Sequence, residues 1–436
     1  MIKVLYPNCA GLDVHKKFVV ACRVRMDAGG NTQKQMRKFS TMRADLEEMA
    51  KWLQESGSTH VAMESSGVYW KPIYNILEGL FEVVLVNAQA IKRMPGRKTD
   101  MKDAEWIATL MQHGLLQGSF IPERQQRELR DLTRYHQSLV EERSRFANRL
   151  QKLLEDTNLK LGSVATDLQG VSAQAILRAI AQGETDPKTL AEMTHGSLRS
   201  KRNEMEQALV GTVSNHHRFM LQQLLTQLDF LNQQITQIDA RIEEQLANMP
   251  APFEKAVQLL DTIPGVNRPL AIVIVAEIGI DMSRFPSDRH ITAWAGVAPG
   301  NNETGGKQRS SKTRHGNEHL ETALVLAAHA AARTKQTYLR SLYNRLASRR
   351  GKQRAAVAVG RTILQAAYFM LKNGETFVEL GQDYLDKLDR KRTAKRLVRR
   401  LKKLGFEVNL IEQDTAHTSD EYLRALPNQL LLPTTG

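Results

Sequence analysis

The sequence predicts an α/β N-terminal part, a helical coiled-coil middle and a mostly α C-terminal part, on three observations. Short β-branched runs alternate with helical stretches up to residue 121. Leucine and isoleucine recur at alternating three- and four-residue spacing from Leu221 to Ile242. Apolar helices, one of them Ala-rich, dominate between residues 251 and 375. The expected boundaries are 1–121, 122–250 and 251–375, with a basic extension at 376–436.

Composition narrows the class of partner. The 436 residues are ample for a buried core, and Lys+Arg at 61 against Asp+Glu at 47 leaves a net charge of +14. Such a chain attracts polyanions, nucleic acid before a membrane surface. No stretch approaches the roughly 20 apolar residues of a membrane-spanning helix, and MIKVLYPNCAGLDVHKK lacks the apolar run of a signal peptide. A cytoplasmic protein with no membrane partner is therefore expected. Cys9 and Cys22 are too few for a disulfide framework or a four-cysteine zinc site, so both read as buried thiols.

Taken in order, Ala10 to Val24 reads as a strand or short hairpin pair with Asp13 inside it. His60 to Tyr69, HVAMESSGVY, is a short strand ending at Glu64 and followed by a turn. Phe81 to Val86 is another strand, and Met42 to Glu55 and Tyr69 to Leu80 are the helices between them. After a basic loop, Lys98 to Gly114 reads as an amphipathic helix that carries Asp100 and Asp103 three residues apart on one face. A single acid in any of these places is ordinary, as an edge residue or a helix-dipole partner. Four of them, in the order Asp13, Glu64, Asp100, Asp103, make an oxygen-ligand set suited to two Mg²⁺ ions in phosphoryl transfer, with Mn²⁺ as a substitute.

From Pro122 the chain turns helical. Leu129, Leu132, Leu139, Phe146, Leu150 and Leu153 form an apolar seam, while Arg127, Arg134 and Arg149 lie outside it and suit a nucleic-acid backbone. Residues 162–211 read as short helices. The seam from Leu221 to Ile242 needs a partner, either the first long helix or a second copy, and spacing does not choose. His216 and His217 start that helix and read as capping or phosphate contacts. Val257 to Ile280 reads as helix, tight turn at Pro264-Gly265, and helix, a form that can aim turn amides at a phosphate. Ala295 to Asn317, AGVAPGNNETGGKQRSSKTRHGN, is a glycine-rich loop in which Lys307, Arg309, Lys312 and Arg314 surround the hydroxyls of Thr304, Ser310 and Ser311. That loop fits a phosphate, either as a contact or as the source of an attacking hydroxyl. Leu320 to Thr334 and Ala355 to Leu371 are apolar helices. Arg390 to Leu404 is a basic amphipathic helix, and Phe406 to Ile411 reads as a strand.

Four segments in sequence, GLDVHK, MESSGVYW, KTDMKDAEWIA and AGVAPGNNETGGKQRSSKTRHGN, resemble the DEDD transposases of bacterial insertion sequences, the "one-ten" family, relatives of Piv-type DNA invertases and bridge-RNA-guided recombinases. The resemblance runs through most of residues 10–375. It implies a RuvC-like, ribonuclease H-type fold for residues 1–121, with Asp13, Glu64, Asp100 and Asp103 as catalytic metal ligands. It implies DNA as donor and target, a noncoding bridge RNA, a homo-oligomer from dimer to tetramer, and a bacterial, nucleoid-associated location. In the family a serine of the loop is the nucleophile, and this chain carries Thr304 at that position. Thr304 is the expected nucleophile, with Ser310 as runner-up, although a β-methyl restricts χ1 and crowds in-line attack. Two other readings stand beside this one: a metal-dependent, structure-specific nuclease without a covalent intermediate, and a non-catalytic nucleic-acid-binding protein.

Overall fold

The computed structural model describes residues 3–27, 29–65, 67–87, 91, 102–300, 302–305, 307–310 and 312–411. They divide into two units, Met1–Pro122 and Glu123–Gly436. Among the described residues, no helix is long and apolar enough to cross a membrane.

In the first unit β1 (Asn8–Val14), β2 (Phe18–Met26), β3 (Thr32–Ser40), β4 (His60–Glu64) and β5 (Glu82–Val86) form one mixed sheet in the order β3-β2-β1-β4-β5. β2 runs antiparallel to β1 and β3, whereas β4 runs parallel to β1 and β5. This is the expected α/β layer with one strand added. β3, TQKQMRKFS, buries only Phe39, and a polar edge strand shows none of the apolar alternation that marks a strand in sequence.

β1 is central and covered on both faces, so alternate residues enter different cores. Ala10, Leu12 and Val14 pack with α1 (Arg43–Glu55) and α2 (Trp70–Leu77). Cys9 packs on the other face with α3 (Asp103–Gln112). Gly11 shares that second face: a Cβ built there would lie 2.3 Å from the Ala108 nitrogen and 2.4 Å from the Ala104 carbonyl oxygen. The backbone of α3 thus rests directly on β1, an approach that glycine alone permits. Cys9 and Cys22 are free and buried, as expected, and burial pushes their thiols up to about 12 and about 11.

The second unit begins with α4 (Arg124–Asp156) and contains a second helix of equal length, α9 (Asn215–Ala247). Leu129 meets Ile242 and Leu246, Leu139 meets Leu231 and Ile235, and Leu150 meets Leu221 to Leu228, so the pair is antiparallel. The seam left open by the sequence is therefore closed within one chain. Between the two helices, α5 (Leu161–Val164), α6 (Val171–Gln182), α7 (Pro187–Glu192) and α8 (Arg202–Ala208) pack around the far end of the pair. At the start of α9, Ser214 and His217 form a capping box, and His217 Nε2 lies 3.2 Å from Asp156 Oδ2. For His217 that arrangement is capping, one of the two roles read for the pair; His216 is exposed.

The near end of the pair belongs to a larger core with α10 (Ala251–Asp261), α11 (Arg268–Ile278), α12 (Asp288–Trp294), α13 (Glu318–Ala331), α14 (Tyr338–Arg350) and α15 (Lys352–Asn373). The turn between α10 and α11 faces this core. Gly265 has φ +92°, and a Cβ there would lie 2.4 Å from the Ala327 oxygen and the Ala331 nitrogen. Tight packing on α13 therefore accounts for the glycine. α16 (Tyr384–Leu388) and α17 (Arg390–Lys403) follow, with Leu397, Leu401 and Leu404 exposed. Residues 406–411 adopt no strand, because no neighbouring strand is there to satisfy their backbone.

One carboxylate joins α4 to α11. Glu277 is fully buried, and Arg134 donates to it from Nε at 2.7 Å and from Nη2 at 2.9 Å. Arg130 Nε lies 3.3 Å from Glu277 Oε2, and its Nη2 donates to the Glu277 carbonyl at 2.6 Å. Burial pushes the Glu277 carboxyl up, but the hydrogen bonds and charges of the two arginines outweigh it and hold the group below the usual carboxylate range. Burial also pulls the Arg130 guanidinium down, to about 10, so both partners are charged at neutral pH.

Two outcomes follow from these contacts. Gly11→Val forces a side chain into the backbone of α3 and is expected to destabilise the first unit by about 1–3 kcal/mol or more, read as a lower urea midpoint. A midpoint equal to wild type would show that α3 can move away freely. For Glu277, a depressed folded pKa means that its stabilisation is present above about pH 4.3 and is lost as pH falls through the lower folded value. Glu277→Gln should cost about 3 kcal/mol or less at pH 7, because it leaves the half-buried guanidinium groups of Arg130 and Arg134 without their counter-charge and water screens part of the loss at Arg134. It should also flatten the loss of melting temperature between pH 5 and about pH 3, which thermal melts across that range will check.

Candidate active site

The sheet register gathers two of the four acids. Leu12 pairs with Met63 between parallel β1 and β4, so Asp13 and Glu64 stand side by side one step further, at the C-terminal ends of adjacent strands. Two-residue alternation fixes their direction. Asp13 follows Cys9 and Gly11, and Glu64 follows Ala62, so both belong to the sheet face that α3 covers. Asp103 is the first residue of α3, the helix whose Ala104 and Ala108 touch Gly11. The carboxyls of Asp13 and Glu64 are half-buried, and that of Asp103 is exposed. Asp100 lies outside the described residues, and α3 begins only at Asp103.

His15 is an addition to the expected set. Its Nε2 lies 3.1 Å from Asp13 Oδ2, donating in the tautomer that protonates it, and its ring stands 4.5 Å from that of Phe18. The signal was present in GLDVHK, where His15 follows Asp13 by two residues at the strand end. A donor there orients the carboxylate through one of its oxygens.

Among the described residues, no group of three or more His, Cys, Asp or Glu side chains stands close enough to cage a metal ion. The donor chemistry fits a hard divalent cation, because the acids offer only carboxylate oxygens. The strand placement is compatible with that ion, since it brings two carboxylates to neighbouring strand ends. Asp13, Glu64 and Asp103 are the described members of the expected ligand set, and as placed here they do not stand close enough together to cage an ion by themselves.

In the second unit, Ala295 to Asn317 is more ordered than the loop that its sequence predicts. α12 ends against it, and the buried Thr292 accepts the N–H groups of Val297 and Ala298 on its carbonyl, each at 3.1 Å. β6 (Asn302–Thr304) and β7 (Lys307–Ser310) then pair antiparallel, Thr304 opposite Lys307, and the chain turns through Gly305 at φ +59°. Thr304 is therefore the last strand residue before the tip of a β-hairpin. The two legs run against each other below it. A Cβ on Gly316 would lie 2.3 Å from the Gly296 nitrogen, and one on Gly300 would lie 2.4 Å from the Lys312 oxygen. Gly296, Gly300 and Gly316 give the two legs close approach to each other. The side chains of Thr304, Lys307, Arg309 and Ser310 lie outside the described residues, as does Ser311. Lys312 and Arg314 are exposed on the returning leg.

The α4 arginines divide in a way that sequence did not show. Arg149 is exposed and lies over the Phe146 ring at 4.7 Å. Arg127 is half-buried. Arg134, expected to lie along a nucleic acid, spends its guanidinium on Glu277, so its assignment changes from ligand contact to internal ion pair. Helical spacing gave no warning, because the buried acid that captures it comes 143 residues later.

Comparison with known proteins agrees with this layout. A model of DEDD-type IS110 transposases, described as "Transposase", matches residues 10–159, and one described as "Transposase IS116/IS110/IS902 family" matches residues 257–344. A "Probable family 20 transposase" of Pseudomonas aeruginosa is 26% identical over 277 residues, 63% of this chain and 71% of that protein. A "Pilin gene-inverting protein" of Moraxella bovis is 27% identical over 146 residues, 33% of this chain and 45% of the relative, so the match spans under half of that protein. A 43.6 kDa protein of insertion element IS110 from Streptomyces coelicolor is 27% identical over 315 residues, covering 65% of this chain and 73% of that one. The first model takes in the strands and helix that carry Asp13, Glu64 and Asp103, the second ends beyond the hairpin of Thr304, and with both halves matched in order the chain belongs to the IS110 family of DEDD transposases.

Proposed function

We propose that this chain is a DNA strand-exchange recombinase of a mobile element, working through a carboxylate-held Mg²⁺ site and a hydroxyl nucleophile from the β6–β7 hairpin. The observation that carries the reading is the register of β1 and β4, which sets Asp13 and Glu64 side by side on the face covered by the helix of Asp103. Strand-end acids on a mixed sheet of this order support a RuvC-like, ribonuclease H-type assignment for residues 1–121. Asp100 completes the set by the family resemblance.

A divalent ion held there lowers the cost of charge building on the phosphate and favours the deprotonated hydroxyl. The residues of this chain do the rest. Thr304 at the hairpin tip attacks phosphorus in line, the bridging oxygen of the DNA strand leaves with a proton, and a protein–DNA phosphodiester replaces the DNA phosphodiester. Attack by the hydroxyl of a second strand on that phosphorus completes the exchange, and its proton returns to the Thr304 oxygen as the protein–DNA bond breaks. One phosphodiester is made for each one broken, so no nucleotide triphosphate is consumed. Lys312 and Arg314 on the returning leg, with Lys307 and Arg309 on β7, offset phosphate charge. His15 orients Asp13.

The net charge of +14 and the exposed Arg149 support a further nucleic-acid partner along α4, which we assign to a noncoding bridge RNA that selects both DNA sites by base pairing. Assembly of dimers into a tetramer brings donor and target together. In this scheme residues 122–250 contact nucleic acid and support assembly, and residues 251–375 present the hairpin.

Two experiments test the chemistry. Incubation of the protein with its RNA and a DNA end, followed by denaturing electrophoresis, should trap a covalent adduct. Thr304→Ala should reduce that adduct by at least about 100-fold, Thr304→Ser should retain it, and Ser310→Ala and Ser311→Ala should leave it near wild type. An adduct that survives Thr304→Ala but vanishes with Ser310→Ala transfers the role to Ser310, and survival in every variant favours a nuclease using water. Chelation should abolish the adduct, and Mg²⁺ or Mn²⁺ should restore it. Asp13→Ala combined with Asp103→Ala should abolish recombination in cells, whereas unchanged recombination removes the metal role.

A further inference from the structure

The base of the hairpin that carries Thr304 is tied to α4 by way of Asn317 and Glu277. Asn317 ends the returning leg and begins α13, and its two ends do different things. Its Oδ1 accepts the Leu320 N–H at 3.2 Å and caps α13. Its Nδ2 donates to Oε2 of the buried Glu277 at 2.6 Å. Capping needs only the oxygen, and serine, aspartate or threonine would serve as well. The amide donor is needed only for Glu277.

Glu277 in turn is held by α4, on a face formed by Arg130, Arg134 and, one further turn along, Gln137. Gln137 Oε1 makes a second tie to the same helix start, lying 2.8 Å from His319 Nδ1. The legs transmit this anchorage. Gly316, next to Asn317, is in backbone contact with Gly296, and Gly300 is in contact with the Lys312 carbonyl, so a shift of Asn317 displaces both legs below the tip.

We infer that Asn317 and Glu277 are positioning residues for the nucleophile hairpin, linking its base to the long helix α4. This rests on the proposed function in assigning the nucleophile to the hairpin; the mooring itself does not. A hydroxyl displaced by about 1 Å from the line of attack loses about 100-fold in rate while the surrounding contacts still bind. Loss of the mooring therefore slows the chemical step and leaves DNA affinity in place.

The test uses the full chain with its RNA and DNA. Asn317→Ser keeps the helix cap but is too short to reach Glu277, and Asn317→Asp keeps cap and length but sets a carboxylate against a carboxylate. Both keep the helix cap but should melt below wild type, Asn317→Asp further than Asn317→Ser, because each withdraws a donor from the buried Glu277 carboxylate, so every assay is run well below both melting temperatures. Both should bind DNA within about twofold of wild type and form the covalent adduct at least about 10-fold more slowly in single turnover. Amide hydrogen exchange at residues 302–310 should rise at least about 10-fold in each, a readout independent of any activity. The double variant Asn317→Asp with Glu277→Gln reverses donor and acceptor and keeps one negative charge, so it should recover slow exchange and most of the adduct rate relative to Asn317→Asp. Wild-type exchange and wild-type adduct rate in Asn317→Ser would overturn the inference, as would a loss of DNA binding equal to the loss of rate. Should wild type form no adduct, the proposed chemistry fails, and hydrogen exchange alone decides the mooring.

Discussion

Glu277 brings a full negative charge into a place closed to bulk solvent, and much of the second unit is arranged around that fact. A buried carboxylate is tolerated only when paired and hydrogen-bonded, and its partners here come from different stretches of chain: Arg130 and Arg134 on α4, and Asn317 at the head of α13. The consequence is geometric more than energetic. An apolar contact between α4 and α11 would accept many offsets, whereas a bidentate arginine at 2.7 and 2.9 Å accepts one. With α4 held at that offset, its apolar side meets α9, and the start of α13 is carried to the place where the hairpin ends.

The first unit solves a similar problem by leaving an atom out. Gly11 lets the backbone of α3 lie on the central strand, and the site depends on that closeness because Asp103 is the first residue of the same helix. Parallel pairing of β1 with β4 supplies the other half by setting Asp13 beside Glu64. Neither device involves a catalytic group. Each shows how residues with no chemistry of their own decide where the acids stand.

The hairpin unites the two themes. Its glycines serve close contact between the legs, its tip carries Thr304, and its base is tied to a charge cluster. Branching at Cβ restricts χ1 more in a threonine than in a serine, so its hydroxyl depends more on where the backbone is placed. A chain that places threonine at this position has reason to hold the surrounding backbone tightly.

Much of this was legible in the sequence. Apolar periodicity located the long helices, alternation located β1, β4 and β5, and the order Asp13, Glu64, Asp100, Asp103 together with the glycine-rich loop pointed to the family before any coordinate did. These features are local, and local spacing is what sequence records directly. β3 escaped because a polar edge strand has no apolar face to alternate. The fate of Arg134, the intramolecular partner of the Leu221 seam, the role of Gly265 and the double duty of Asn317 were decided only by the tertiary structure. Each depends on a residue far along the chain arriving at contact distance. A helical wheel shows which way Arg134 points; only the packed fold puts a buried carboxylate in front of it.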